Sequence, residues 1–226
     1  MGRELPKPFL PLCGIPLLIH TLQAVTQSLL IAKIIIVVAP EREALCHDLL
    51  RGYTSIHVPV TVVHGGAERQ DSVRLGLAAL DGTSEIVAIH DAARPFLERE
   101  TLERSIEIAA EYGGALVAVP ARDTIKRVAN DGAVLETISR QNLWLAQTPQ
   151  TFRVPLIREA HTRAMAEGVT ATDDAALIER LGKPIKVVLG NYRNFKITTQ
   201  EDLQFAEALL QNTGKGNERT KKTRGE

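Results

Sequence analysis

The stretch Ile86-Val87-Ala88-Ile89-His90-Asp91-Ala92-Ala93-Arg94-Pro95 constrains the fold of this chain more than any other. Ile86 to His90 is a run without alternation, apolar apart from its last residue, and it breaks into an acid, two alanines, a base and a proline. A short run so bounded predicts a strand buried on both faces, the pattern of a parallel sheet covered by helices. Lys33 to Ala39, a β-branched run, predicts a second such strand. In an open parallel sheet, ligands bind just past the carboxyl ends of the strands. Asp91 and Arg94 occupy that position after the first run, which makes them candidate site residues.

The chain around this strand alternates in a βαβα rhythm. Pro16 opens a helix carrying Leu18, Leu22 and Val25. Glu41 to Leu50 reads as a helix, Val60 to Val63 as a strand, and a helix follows Asp71. A helix from about Arg99 to Tyr112 ends at Gly113, and Ala115 to Val119 is another apolar strand. This order predicts an α/β fold with a doubly wound, mostly parallel sheet. The rhythm breaks at Thr124 to Ile138, where Asn130-Asp131-Gly132 separates two alternating segments, a hairpin signal. An inserted hairpin has edges to manage, and pairing with a second subunit is one solution, so an arm at about 121–140 that makes a homodimer is expected.

Leu143 to Thr148 then reads as a strand and Val154 to Glu167 as a helix closed by Gly168. A further helix over Asp173 to Leu181 has Thr172 as its N-cap and Gly182 at its end. Ile185 to Leu189 and Phe195 to Ile197 read as short strands, and Thr199 caps a final helix. The main domain is therefore placed at 1–210. From Gln211 onward the chain has no apolar residue, and residues 211–226 are expected to form a disordered tail.

Composition narrows the function. Lys+Arg and Asp+Glu balance at 27 each, so there is no general attraction for nucleic acid or a membrane surface. No run approaches the roughly 18–20 apolar residues of a membrane span. Cys13 and Cys46 lack metal-type spacing and read as reduced thiols, so the expected location is the cytoplasm. There is no Gly-x-Ser-x-Gly, His-Glu-x-x-His, Cys-x-x-Cys or P-loop motif. The cations Lys7, Arg69, Arg94, Lys126, Arg140 and Lys196 fall at strand ends or in the loops after them. Gly65-Gly66 feeds a helix start, a turn whose backbone N–H groups suit an anionic ligand. Cations with one well-placed acid suit phosphoryl or nucleotidyl transfer, where positioning and charge neutralisation supply most of the catalysis.

Several motifs carry a family resemblance: Pro6-Lys7-Pro8-Phe9-Leu10, Gly65-Gly66 with Glu68-Arg69 and Asp71-Ser72-Val73, His90 to Pro95, Val119-Pro120 with Arg122 to Arg127, Gln147-Thr148-Pro149-Gln150, Thr172-Asp173-Asp174, and Asn194 to Thr198. In this order the chain resembles the 2-C-methyl-D-erythritol 4-phosphate cytidylyltransferases, a branch of the Rossmann-like sugar-type nucleotidyltransferases. The resemblance implies CTP and methylerythritol phosphate as substrates, pyrophosphate as by-product and a place in non-mevalonate isoprenoid synthesis. It implies Mg2+ on the triphosphate, with Asp91 the one residue near it and no certain protein ligand, and a homodimer through the arm. Lys7, Lys196 and Arg140 match catalytic positions, and Asp91, Arg94, Thr124 and Thr172 match acceptor-binding ones. Gly66, Ala67 and Ser72 match the positions lining the nucleoside, with Ala67 where the family often has Asp. A related pentitol-phosphate cytidylyltransferase, acting on ribitol 5-phosphate, is the neighbouring reading; an impaired nucleotide-binding chain is another.

Family members open on a strand and a loop of the type Ala-Ala-Gly-x-Gly-x-Arg-Met, and this chain opens on the Met that matches the end of that motif. Strands left without that neighbour would carry unpaired backbone groups at about 1–3 kcal/mol each if buried. Weak CTP binding by residues 1–226 alone is the corresponding expectation.

Overall fold

The computed structural model describes residues 6–53 and 56–222, those from 213 onward by backbone alone. The chain divides into two compact units. The first holds residues up to Ala79, His90–Arg99 and the residues from Arg193; the second holds Leu80–Ile89 and Glu100–Tyr192.

In the first unit, residues up to Leu5 lie outside the described part of the proline-rich opening. A 3-10 turn at Lys7–Phe9 then leads into a small hairpin of β1 (Pro11–Leu12) and β2 (Ile15–Pro16). Its two-residue turn has φ of 50° at Cys13 and 81° at Gly14. Positive φ at both central positions is what a twisted two-residue hairpin requires. Helix α1 (Leu17–Val25) follows, then β3 (Ile34–Val38), α2 (Glu43–Arg51), β4 (Val60–His64) and α3 (Arg69–Ala78). β3 and β4 pair in parallel, Ile34 opposite Val60 through Val38 opposite His64. Phe9, Leu18, Ile19, Leu22, Ile36 and Cys46 form the core of this part.

A second cluster of Leu12, Leu17, Ala93, Ile197 and Ala206 joins the β1–β2 hairpin, the loop after residue 90 and the final helix α7 (Gln200–Lys222). The segment at Phe195–Ile197, expected as a strand, has no ladder partner among the described residues. Burial of Ile197 and stacking of Phe195 on Phe96, centroids 5.8 Å apart, fix it instead. α7 runs on to Lys222, through most of the stretch expected as a disordered tail; residues 223–226 lie outside the described part.

In the second unit, β5 (Ile86–Ile89), α4 (Arg99–Tyr112, its first residue in the other unit), β6 (Gly114–Pro120), β9 (Trp144–Arg153) and β10 (Lys186–Leu189) build a sheet of order β10-β6-β9-β5. β10 runs parallel to β6, while β9 runs antiparallel to both β6 and β5, so the sheet is mixed. β9 is longer than the expected Leu143–Thr148 because its polar residues are buried with partners. Gln147 donates to the Asn191 carbonyl at 3.0 Å, and Ser105 and Thr151 hydroxyls lie 2.9 Å apart. The expected hairpin is present as β7 (Ile125–Val128) and β8 (Val134–Ile138), turning through Gly132 at φ 89°. α5 (Val154–Ala166) and α6 (Asp174–Arg180) complete the unit. The N-cap of α6 is Asp173, not Thr172: its carboxylate accepts the Ala176 N–H at 3.0 Å and a Gln150 side-chain N–H at 2.8 Å. Among the described residues β5 ladders with β9 alone and β3 with β4 alone.

Candidate active site

The loop after β5 turns tightly, its Arg94 N–H donating to the Asp91 carbonyl at 3.0 Å. Small residues make the turn dense: Ala93 is buried, and the Ala92 carbonyl accepts the Thr21 hydroxyl of α1 at 2.8 Å. Two bonds tie the loop to the chain before α7. The Ile197 N–H donates to the Ala93 carbonyl at 2.9 Å, and Arg94 Nη1 donates to the Asn194 carbonyl at 2.8 Å.

Three cations converge on Asp91. Lys196 Nζ lies 3.2 Å and Arg94 Nε 3.3 Å from Oδ2, and Arg69 Nε lies 3.7 Å from Oδ1. Burial pushes the Asp91 carboxyl upward, but Lys196, Arg69 and Arg94 together outweigh it and hold the group below the usual carboxylate range. Burial lowers the Arg94 guanidinium from its ordinary value against the pull of Asp91, and an arginine starts so high that it stays charged. One carboxylate therefore aligns three donors in advance. An arriving phosphate meets cations already placed, which is how a preorganised site stabilises charge without reorganising.

Lys7, from the N-terminal 3-10 turn, donates from Nζ to the Thr198 carbonyl at 2.5 Å. Thr198 stands two residues beyond Lys196, so the segment 196–198 carries one lysine and tethers the other. Gly65 and Gly66 pack so closely on α3 that a Cβ on Gly66 would lie 2.3 Å from Asp71 Cβ. Only glycine fits there. The Ser72 hydroxyl accepts the Gly66 N–H at 3.2 Å, which sets the loop against the start of α3 and leaves Ala67 exposed beside it.

The structure thus gathers Lys7, Gly66, Ala67, Ser72, Asp91, Arg94 and Lys196 in the first unit, and Thr124, Arg140 and Thr172 in the second. Thr124 is exposed just before β7, and Thr172 is exposed just before the α6 cap. Arg140 donates to the Arg122 carbonyl, and the Arg122 guanidinium lies 3.4 Å from the Tyr192 ring centroid, an arrangement that braces the root of the hairpin.

The model of the 2-C-methyl-D-erythritol 4-phosphate cytidylyltransferase (IspD) family matches residues 1–212. The chain belongs to this family. A cytidylyltransferase of that name from Geotalea uraniireducens is 50% identical over 216 residues, covering 93% of this chain and 91% of that protein. One from Pelotomaculum thermopropionicum is 45% identical over 210 residues, covering 93% and 88%. Among solved structures, the 4-diphosphocytidyl-2C-methyl-D-erythritol synthase of Anaerococcus prevotii superposes with a TM-score of 0.83 at 35% identity, covering 93% of this chain and 92% of that one. The cytidylyltransferase of Thermus thermophilus gives 0.79 at 35% identity, covering 91% and 94%.

Within this IspD-family chain, the described residues contain no group of three or more His, Cys, Asp or Glu side chains able to hold a metal ion. Both Asp91 oxygens already face cations, so the site does not fit a protein-held Mg2+. No described helix is long and apolar enough to cross a membrane. Sequence reasoning noted Arg69 as a cation but gave it no role, because its partner Asp91 is 22 positions away. Its position at the first turn of α3, after the Gly-Gly turn, was the available signal.

Proposed function

We propose that this IspD-family chain transfers the cytidylyl group of CTP to the phosphate of 2-C-methyl-D-erythritol 4-phosphate, releasing pyrophosphate, in the cytoplasm. The observation that carries the reading is the set of cations aligned by Asp91, in a chain matched to the family from end to end of its motifs.

The chemistry follows from two anions that must meet. A phosphate oxygen of the acceptor attacks the α-phosphorus of CTP, a P–O bond forms, and the bond to the β-phosphate bridging oxygen breaks as pyrophosphate leaves. A phosphate monoester loses its second proton near pH 6, so the nucleophile is already mostly ionised at neutral pH. No general base is needed. Lys196 and Arg94 bind the acceptor phosphate, and Asp91 orients them. Lys7 stabilises charge building on the α-phosphate. Gly66, Ala67 and Ser72 line the cytosine and ribose; Thr124, Arg140 and Thr172 bind the acceptor. A Mg2+ ion carried on the CTP phosphates would neutralise triphosphate charge.

The homodimer forms through the β7–β8 arm. Support comes from Val128, Val134 and Leu135, large apolar side chains left exposed on that hairpin. The test is pyrophosphate release with methylerythritol phosphate and with ribitol 5-phosphate as alternative acceptors. Turnover with the first at least tenfold above the second is expected; the reverse order makes the chain a pentitol-phosphate enzyme.

A further inference from the structure

At the start of α7, Asp202 Oδ2 accepts three hydrogen bonds: from the Thr198 N–H at 2.8 Å, the Thr198 hydroxyl at 2.8 Å and the Thr199 N–H at 2.9 Å. The Thr199 hydroxyl accepts the Asp202 N–H in return, at 3.2 Å. Alone this is a capping box, a common way to satisfy the first donors of a helix. What it holds sets it apart. The Thr199 N–H belongs to the same peptide unit as the Thr198 carbonyl, and that carbonyl accepts the Lys7 ammonium at 2.5 Å. A peptide unit is planar and trans, so its N–H and C=O point in opposite directions and turn together. A carboxylate grips one end of this plane and an ammonium the other.

The charges reinforce the geometry. The N–H groups of Thr198 and Thr199 lead the causes that hold the Asp202 carboxyl below the usual range. An anion at the N–H end polarises the peptide and strengthens its carbonyl as an acceptor for Lys7. Lys196 is held in the same way from both sides along the chain. Asn194 and Ile197 are bonded to the loop at Arg94 and Ala93, and Thr198 is bonded to Asp202.

From this geometry we infer that Asp202 is a positioning residue for the reaction, acting through the Thr198–Thr199 peptide on Lys7 and through the same segment on Lys196. It touches neither substrate. The inference rests on the reading of Lys7 given above.

The experiment is a double-mutant cycle on the full chain, with pyrophosphate release as the readout. Asp202→Ala is expected to lower kcat by about 10–100-fold, the scale for a misplacement of roughly 1 Å, while KM for CTP changes by less than about threefold. In a Lys7→Ala background the same change is expected to cost far less, because residues that act through one another are non-additive. Asp202→Asn, which keeps the shape and one acceptor oxygen, falls between wild type and Asp202→Ala and covers the case in which the alanine variant fails to fold. Glu201→Gln, exposed in the same turn, leaves kcat unchanged. Equal losses in both backgrounds, or no loss from Asp202→Ala, overturn the inference and leave Lys7 standing. If Lys7→Ala itself costs nothing, the reading of Lys7 fails and the inference falls with it.

Discussion

Replacing Asp91 by Asn removes one charge and almost no volume, so it isolates the electrostatics of the cluster. At an effective dielectric near 20, a unit-charge pair at the Lys196 and Arg94 separations gains about 5 kcal/mol and one at the Arg69 separation about 4.5 kcal/mol, before desolvation. Those gross values shrink unequally. The side chains of Lys196 and Arg69 are 43% and 38% exposed, and exposed pairs contribute only about 0–1 kcal/mol each. Arg94 and Asp91 are 12% and 14% exposed, and leaving one member of such a buried pair alone costs about 3–5 kcal/mol. The substituted amide would still offer one oxygen to the arginine, so we expect Asp91→Asn to destabilise the fold by about 2–4 kcal/mol at pH 7, a large part of the usual 5–15 kcal/mol. For a chain of this size that lowers Tm by roughly 5–15 °C. The pH dependence is a second signature. The folded Asp91 carboxyl lies below its ordinary value of 3.8, so its contribution is complete above about pH 4 and is lost as pH falls through the folded value. Calorimetry of both proteins at pH 7, 5 and 3 in low salt reads this directly: the gap in Tm is wide at pH 7 and pH 5 and narrower at pH 3. A gap under about 1 °C at pH 7, or one of equal size at pH 3, refutes the electrostatic account of the cluster.

Lys7→Ala is expected to lower kcat by roughly 10²–10³-fold, the scale for losing one preorganised stabilising group, and a few-fold change in steady-state rate contradicts its role. Leu135→Asp places a charge at an exposed apolar position of the arm; light scattering is expected to show a dimer for the wild type and a monomer for the variant, and an unchanged mass removes the arm from the interface. Asp173→Ala removes the α6 cap together with the Gln150 bond, so urea unfolding is expected to lose about 1–2 kcal/mol. A loss below about 0.3 kcal/mol shows that water replaces the cap.

What the sequence made legible follows from how local each signal is. β3 and β5 are runs of Ile, Val and Ala that announce themselves without reference to the rest of the chain. The hairpin is written in Asp131-Gly132, and Gly113, Gly168 and Gly182 end helices in positive φ where expected. β9 is different. Gln150 and Thr151 fall beyond the expected strand at Leu143–Thr148, yet Gln150 is 2% exposed inside the sheet. Its burial is stabilised by partners that no local pattern reveals, the Ala175 N–H at 2.9 Å and the Asp173 carboxylate. The same limit applies to the site. Lys7 and Lys196 were named from motifs, but the peptide that tethers Lys7 lies 191 positions away. Phe195 to Ile197 has strand composition and forms no strand, because burial of Ile197 against Ala93 and stacking of Phe195 fix the backbone without a ladder.

The central claim is that an acceptor phosphate on this chain attacks the α-phosphorus of CTP. Phosphorus NMR of the full chain with CTP, Mg2+ and methylerythritol phosphate tests it in one tube. We predict that the monoester signal declines while the coupled signals of a pyrophosphate diester and the single signal of free pyrophosphate rise in equal amounts. A monoester signal that persists, or pyrophosphate accumulating with CMP and no diester, contradicts it.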